Sequence, residues 1–305
     1  MKAKKRALLG FVNNLGLSHQ ALNKMLFSID DESDWNDPQL LVERLHDLAR
    51  GKNHAWTFEK VCRALEEAEV SMCTYKYHNI HVVGQWEENY PIGLRTCAFV
   101  PPIVFIQGDI SILDHERYIA LVGARKSCSW SYDIQKRLAC IFVERGYGIV
   151  SGLAKGLDTA SHLGCLQAKG KTIAVLAHGL GRSIYPKENQ KLAQEIIAKE
   201  GCLISTYGWR VTPSRKRFLE RNHIQVGLST GVAFTAASMC GGTAYTIRIA
   251  EKEGLPVGYF FHEHRIWEPR ALNDDYNSLQ KGIKLNSQQG IDVFLDKISG
   301  GSMPL

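Results

Sequence analysis

Five cations, Arg210, Arg215, Lys216, Arg217 and Arg221, fall within twelve positions of "GWRVTPSRKRFLERNH", with only Glu220 opposing them. Such a run suits either a solvated loop or a polyanion, because several cations along one groove can each meet a phosphate. A second cationic stretch, "IALVGARKSCSWS", sets Gly123, Arg125, Lys126 and Ser127 directly after the apolar run Ile119–Val122. A glycine turn feeding a helix aims backbone N–H groups at a ligand, and helix N termini favour phosphate. Arg125 adds a planar fork that can grip an anion in two places. "SGLAKG" supplies Gly152, Lys155 and Gly156 in a second turn, and "CGGT" supplies Gly241, Gly242 and Thr243 in a third. Such bare turns form anion-binding nests. In "HGLGRSIYPKEN", Tyr185 suits either stacking on a base or packing its own loop, and Lys187 can reach a phosphate. Asp158 and His162 read as a helix cap and a contact one turn along the same helix.

These turns need elements to hold them. From residue 119 onward the chain alternates apolar strand, glycine-bearing turn and helix of ten to fifteen residues, for example "GIVSG" before "DTASHLGCLQAKG" and "TIAVL" before "NQKLAQEIIAKEG". This pattern predicts an α/β fold, an extended Rossmann-like, doubly wound and mostly parallel sheet. In such sheets ligands lie beyond the carboxyl ends of the strands, where all of these turns fall. Residues 1 to about 80 read as helices: "RALLGFVNNLGLSHQALNKMLFSI", "DPQLLVERLHDLARG" and "TFEKVCRALEEAEV", the second with Asp37 and Pro38 as cap and first turn. "NNLGLSHQALNKML" is similar to a helix-hairpin-helix without its glycines. The expected division is a small helical domain (SAM or helix-hairpin-helix-like) over 1–85 and a Rossmann-like domain over 86–305. "NYPIGLRTCAFVPPIVFIQGD" reads as a proline-bearing connector closing in the strand "IVFIQG", and "CLISTYG" as a strand leading through a basic loop to a helix "ERNHIQVGLS".

Several classes are disfavoured. There is no G-x-G-x-x-G after the first strand and no G-x-x-x-x-G-K-[ST] loop, which argues against a dinucleotide redox enzyme or an ATPase. No G-x-S-x-G elbow, H-E-x-x-H helix or paired carboxylates appear, so no catalytic residue, metal ligand or cofactor is expected. The eight cysteines include no C-x-x-C pair and read as reduced thiols. Apolar runs are too short to span a membrane, and "MKAKKRALLGFVNN" lacks the core of a signal peptide, so a cytoplasmic protein is expected. The net charge of +6 is moderate.

Taken in order, "YP…PPIVFIQGD…LVGARKSCSWS…GIVSGLAKGLDTASH…GKTIAVLAHGLGRSIYPKEN…LIS…RFLERNH…GLS…CGGTAYT" resembles the DNA-processing protein A (DprA/Smf) family over residues ~88 to 250. The family layout runs V-G-S-R, S-G-x-A-x-G-I-D-x-x-x-H, T-I-A-V-L…G-L-D…Y-P…N, R-N-R and S-G-x-x-x-T-A. The resemblance implies a non-catalytic protein that binds single-stranded DNA in a basic pocket, forms a homodimer and helps load a RecA-type recombinase during DNA uptake. By it, Arg125 takes the place of the arginine of V-G-S-R, Lys187 and Asn189 follow Y-P, and Arg221 and Asn222 open R-N-R. It also implies a divergent member without the family's C-terminal winged helix. Ala124 replaces serine, Gly181 aspartate, Thr206 glutamate, His223 the second arginine, and Cys240-Gly241-Gly242 Ser-Gly-Ser; no Pro-Gly follows "LPVGYFF". These departures leave a second reading, a DprA-like antitoxin or partner of a neighbouring toxin in a phage-defence module. A third reading is a nucleotide sensor or phosphoribohydrolase-like enzyme, against which "CGGTAYTIR" keeps Gly-Gly-Thr but lacks the glutamate of P-G-G-x-G-T-x-x-E.

Overall fold

The computed structural model describes residues 2–49, 56–114, 117–237, 241–260 and 282–300. Nine strands occur among them: β1 (Ile80–Gly84), β2 (Ile103–Gly108), β3 (Tyr118–Leu121), β4 (Gly148–Ser151), β5 (Thr172–Leu176), β6 (Cys202–Ser205), β7 (Gly231–Phe234), β8 (Val257–Tyr259) and β9 (Ile283–Lys284). They form one sheet in the order β1-β2-β6-β5-β4-β3-β7-β8-β9. The pairs β1–β2 and β2–β6 are antiparallel and the remaining pairs parallel. The sheet thus grows from β3 through β4 and β5 to β6, then returns to the other side of β3 with β7. The α/β, mostly parallel architecture expected from the sequence is the one observed.

The helices are α1 (Ala3–Gly10), α2 (His19–Ser28), α3 (Pro38–Ala49), α4 (Phe58–Tyr77), α5 (Ile92–Arg95), α6 (Ser129–Glu144), α7 (Leu157–Gln167), α8 (Gln190–Ala198), α9 (Arg215–Gly227), α10 (Gly242–Lys252) and α11 (Gln288–Gly300). Successive strand residues face opposite sides of a sheet, and β3 uses both. Ile119 and Leu121 pack against α6 and α11, whereas Ala120 and Val122 pack with α9 and α10. Such strands, buried on both faces, read as continuous apolar runs, which is why the sequence marks them so clearly. β1 and β2 extend the sheet under the N-terminal helices. Ile80, Val82, Ile103 and Phe105 share a core with Leu8, Leu22, Leu41 and Leu65, while Val83, Val104 and Ile106 face the core of the parallel sheet.

Four elements differ from the sequence reading. β1 lies in "NIHVVG", a run too short to separate from the helix before it by periodicity. The expected boundary at 85/86 therefore falls just after the first strand of the sheet. β9 lies in the tail "GIKLNSQQGIDVFLDKI", which resembles the closing helical segment of the DprA/Smf family. The first long helix breaks where Gly16 adopts φ +62°, which glycine accepts without steric cost. The basic segment 215–217 is not loop: Ser214 accepts a hydrogen bond from Arg217 N–H at 3.3 Å and starts α9 at Arg215.

One buried side chain fastens the strand ends that carry the site. Gln135 of α6 donates to the Val122 carbonyl and to Ser161 Oγ, both at 3.1 Å. Its Oε1 accepts from Thr235 N–H at 3.1 Å and from Thr235 Oγ1 at 2.8 Å. Replacing one partner of a buried polar set exposes the others to the desolvation cost of about 1–3 kcal/mol per group. Gln135→Leu is expected to lower the free energy of unfolding by roughly 2–4 kcal/mol, read as a lower urea midpoint with an unchanged slope.

Candidate nucleic-acid interface

A cavity of about 360 Å³ opens at the carboxyl end of β3, between the turns after β3 and β4, the start of α10 and one face of α9. This is where the strand order reverses, the place at which open α/β sheets bind ligands. Phe218, Arg221, Asn222 and Gln225 all line it. Their spacing of three, four and seven residues puts them on one side of a helix, and that side is legible only once α9 is known to start at Arg215.

Arg221 forms the floor and is 6% exposed. Its Nη1 donates to the Val175 carbonyl at 3.2 Å and lies 4.0 Å from Asp158 Oδ2, itself buried. Asp158 Oδ2 also accepts from Ala154 N–H at 3.3 Å. Arg221 Nε has no hydrogen-bond partner among the described residues. Burial raises the Asp158 pKa above its ordinary value although Arg221 opposes this, and burial lowers the Arg221 pKa although Asp158 opposes that. Both charges are thus held with their hydration incompletely replaced, the condition in which a buried pair gains most from a further partner. The guanidinium lies over Gly152, where a Cβ would come within 1.5 Å of Nη1, so the glycine makes room for the arginine.

The mouth is cationic. Arg125 and Lys126 are exposed on the turn after β3. The Arg125 guanidinium sits 4.7 Å from the centre of the Phe218 ring, with Arg221 5.8 Å from the same ring. Half-exposed Tyr185 lies on Phe218 as well, with ring centres 5.9 Å apart. Phe218 therefore ties the turn of Arg125 to the turn that carries Tyr185 and, two residues on, exposed Lys187. Tyr185 and Lys187 do not line the cavity themselves; their turn meets its mouth through the contact of Tyr185 with Phe218. Gly156 adopts φ +79°, and a Cβ there would lie 2.6 Å from the carbonyl oxygens of Ala124 and Arg125, so glycine lets the turns after β3 and β4 touch. Gly123, Gly241, Gly242 and Thr243 line the cavity too.

The other residues singled out in the sequence take different places. Asn189 is buried, and its amide donates to the Leu153 and Ala154 carbonyls and to Thr159 Oγ1, bracing the turn of Lys155. Lys155 is exposed and pairs with Glu188 on the outer rim. Ser127 is half-buried beyond the cavity lining. Asn222 donates to the Gly242 carbonyl at 3.2 Å, joining α9 to the start of α10. Arg215, Lys216 and Arg217 occupy the first turn of α9 outside the cavity lining; Lys216 pairs with Glu220 at 3.5 Å, and Arg217 donates to the Thr212 carbonyl at 2.7 Å. Cations at a helix N terminus oppose its dipole at about 0.3–1 kcal/mol each, so their position favours an anion docking beside them. Arg210 lies apart, in a groove with Asn13, Glu67 and Tyr75. Phe218, Asp158, Gln225 and Thr246 line the cavity and were not read as ligand-facing from the sequence. Cys240 and residues 261–281 lie outside the described residues.

Two further features stand behind the rim. The Trp209 indole covers Gly181, where a Cβ would lie 2.2 Å from the ring. Trp209 N–H donates to Tyr75 Oη of α4 at 2.8 Å, and Tyr75 donates to Asn13 Oδ1 at 3.1 Å. His162 is fully buried. Thr172 Oγ1 donates to the Ile149 carbonyl and so accepts from His162 Nδ1 at 2.7 Å, which leaves Nε2 without a partner among the described residues. Among the described residues, no group of His, Cys, Asp or Glu is arranged to hold a metal ion, and no helix is long and apolar enough to cross a membrane.

A mostly parallel sheet with cations, bare turns and helix starts gathered at its switch point defines a Rossmann-like α/β protein. The chain belongs to the family described as DNA recombination-mediator protein A, whose pattern it matches over residues 81–278. It is 33% identical over 213 residues to the DNA processing protein DprA of Bacillus subtilis, covering 70% of each chain. Against that of Streptococcus pneumoniae it is 32% identical over 242 residues, 79% of this chain and 82% of the relative. It is 35% identical over 190 residues to Protein Smf of Escherichia coli, 62% of this chain but only half the length of that relative. The crystal structure of DNA processing protein A from S. pneumoniae is similar over 96% of this chain, with a TM-score of 0.75 at 25% identity. The Helicobacter pylori protein, whose structure concerns its binding of single-stranded DNA, is similar over 72% of this chain, with a TM-score of 0.63 at 25% identity.

Burial lowers the His162 pKa from 6.5 to about 3. As pH falls below 6.5 the unfolded chain binds a proton that the folded chain refuses, so stability is full above that pH and is lost towards pH 3. This histidine is expected to shift the unfolding equilibrium by up to about tenfold per pH unit in that window. Urea titrations from neutral to acid pH should show a slope shallower by one proton in His162→Gln.

Proposed function

We propose that this chain binds single-stranded DNA through its phosphates and acts in DNA processing. The observation that carries this is that Arg125 and Lys126 line the mouth of one cavity whose floor is a buried arginine, with the turn of Lys187 joined to it through Tyr185 and Phe218. A rim of this kind grips backbone charge and carries little base-edge recognition, which suits a strand of any sequence. Half-exposed Tyr185, packed on Phe218, offers a face on which a base can stack, a contact worth about 1–3 kcal/mol. The first turn of α9, with Arg215, Lys216 and Arg217, extends the positive surface along which a strand would lie. The single-stranded DNA bound by the H. pylori relative supports the same ligand here. A role in handing the strand to a recombinase extends this reading from the family's description as a recombination mediator, and a homodimer extends it from the resemblance alone.

The test is a gel shift with single-stranded and duplex oligonucleotides at about 50 and about 200 mM salt. Single strands should bind better, with affinity falling steeply as salt rises. Arg125→Ala and Lys187→Ala should each weaken binding alike for all sequences. Each should also flatten the slope of log affinity against log salt by about 0.7 for every phosphate no longer neutralised. Binding that ignores salt, or that survives both substitutions, would remove the reading.

A further inference from the structure

We propose that the cavity floor is a subsite for a nucleotide phosphomonoester, the terminal phosphate of a DNA strand, whereas the rim holds internal phosphodiesters. This rests on the single-strand reading above and goes beyond it by giving rim and floor different ligands. The first reason is that Arg221, on the inner side of the cavity, is backed by packed backbone. Behind Arg221 lie the Val175 carbonyl of β5 and the backbone of Gly152, packed so closely that no side chain fits there. A phosphodiester carries chain on both sides and must enter and leave, which the exposed rim permits and a floor backed in this way does not. A terminal phosphate has one covalent neighbour and can point inward. The volume of about 360 Å³ fits that difference, since it lies at the small end of pockets that hold one discrete ligand.

The second reason is the unused hydrogen-bonding capacity at the bottom. Arg221 is more than nine-tenths buried, lines the cavity, and its Nε has no partner among the described residues. A buried charged donor left open is costly unless a ligand completes it. Two helices of eleven residues each begin at the cavity. α7 has Gly156 and α10 has Gly241 at the N-cap, and neither N terminus has a side-chain cap. Uncapped N termini favour the added charge of a phosphomonoester dianion over a diester monoanion. The charged groups lining the cavity are Arg125, Lys126 and Arg221 against Asp158 alone, so the lining retains a positive excess for that charge.

The experiment is competition for the full chain against a labelled oligothymidylate. Unlabelled competitors are the same strand with a 5′ phosphate, with a 3′ phosphate, with hydroxyls at both ends, and as a closed circle; thymidine monophosphate is compared with thymidine. A phosphorylated end should compete roughly tenfold better than hydroxyl ends or the circle, the size of one charge-assisted hydrogen bond, and the better of the two ends fixes the strand's polarity in the site. That advantage should vanish in Arg221→Gln. Because removing one buried charge can unfold the site, the double variant Arg221→Gln with Asp158→Asn, which removes both, is measured in parallel. Monophosphate outcompeting thymidine while strand ends make no difference would support the subsite and assign it to free nucleotide. Equal competition by all strands, with monophosphate no better than thymidine, would overturn the subsite and leave rim binding standing. Failure of every strand to bind would overturn the single-strand reading, and direct calorimetric titration with thymidine monophosphate against thymidine would then decide the floor.

Discussion

A guanidinium buried at the end of a parallel sheet is the constraint around which this part of the molecule is arranged. Arg221 cannot shed its charge, so its surroundings must supply what water would have supplied. Asp158 gives an opposing charge at 4.0 Å, Val175 an acceptor, and Phe218 an aromatic face. Each is drawn from a different element: α7, β5 and α9. The position also dictates a glycine at 152, and Gly156 then lets the same turn touch the one bearing Arg125. Two glycines and one buried arginine thus bring three turns to one place, and the exposed cations of the rim inherit their geometry from that packing.

The parallel part of the fold was legible because its strands are buried on both faces and read as unbroken apolar runs between glycines. The turns of Arg125 and Lys187 were legible as lying at one sheet edge because Rossmann-like topology sends the turns after parallel strands there. What escaped the sequence has physical causes. Arg221 is indistinguishable from a surface cation until burial is known, and nothing in a local window shows that Gly152 lies beneath it. Phe218 hid inside a charge run that looked like loop, because the cap at Ser214 sits among residues that would normally delay a helix. Asn189, matched to a phosphate-binding position by resemblance, spends its amide on the backbone of the neighbouring turn. β1 was lost in a helical stretch, since five residues cannot reveal a period.

The division between helical and sheet regions is less sharp in the packing than in the sequence. Phe105 and Val104 are neighbours on β2, yet one belongs to the core of the N-terminal helices and the other to the core of the parallel sheet. The antiparallel pair β1–β2 is therefore a shared wall, with apolar side chains on both faces. A fold extended this way gains a second core without a second sheet.

The indole of Trp209, resting on the bare backbone of Gly181 and hydrogen-bonded through its amide to Tyr75, makes a rigid strut from α4 to the turn that carries Tyr185 and Lys187. The N-terminal helices thus meet that turn directly, without the sheet between them, and one bank of the cleft is built partly on the helical region.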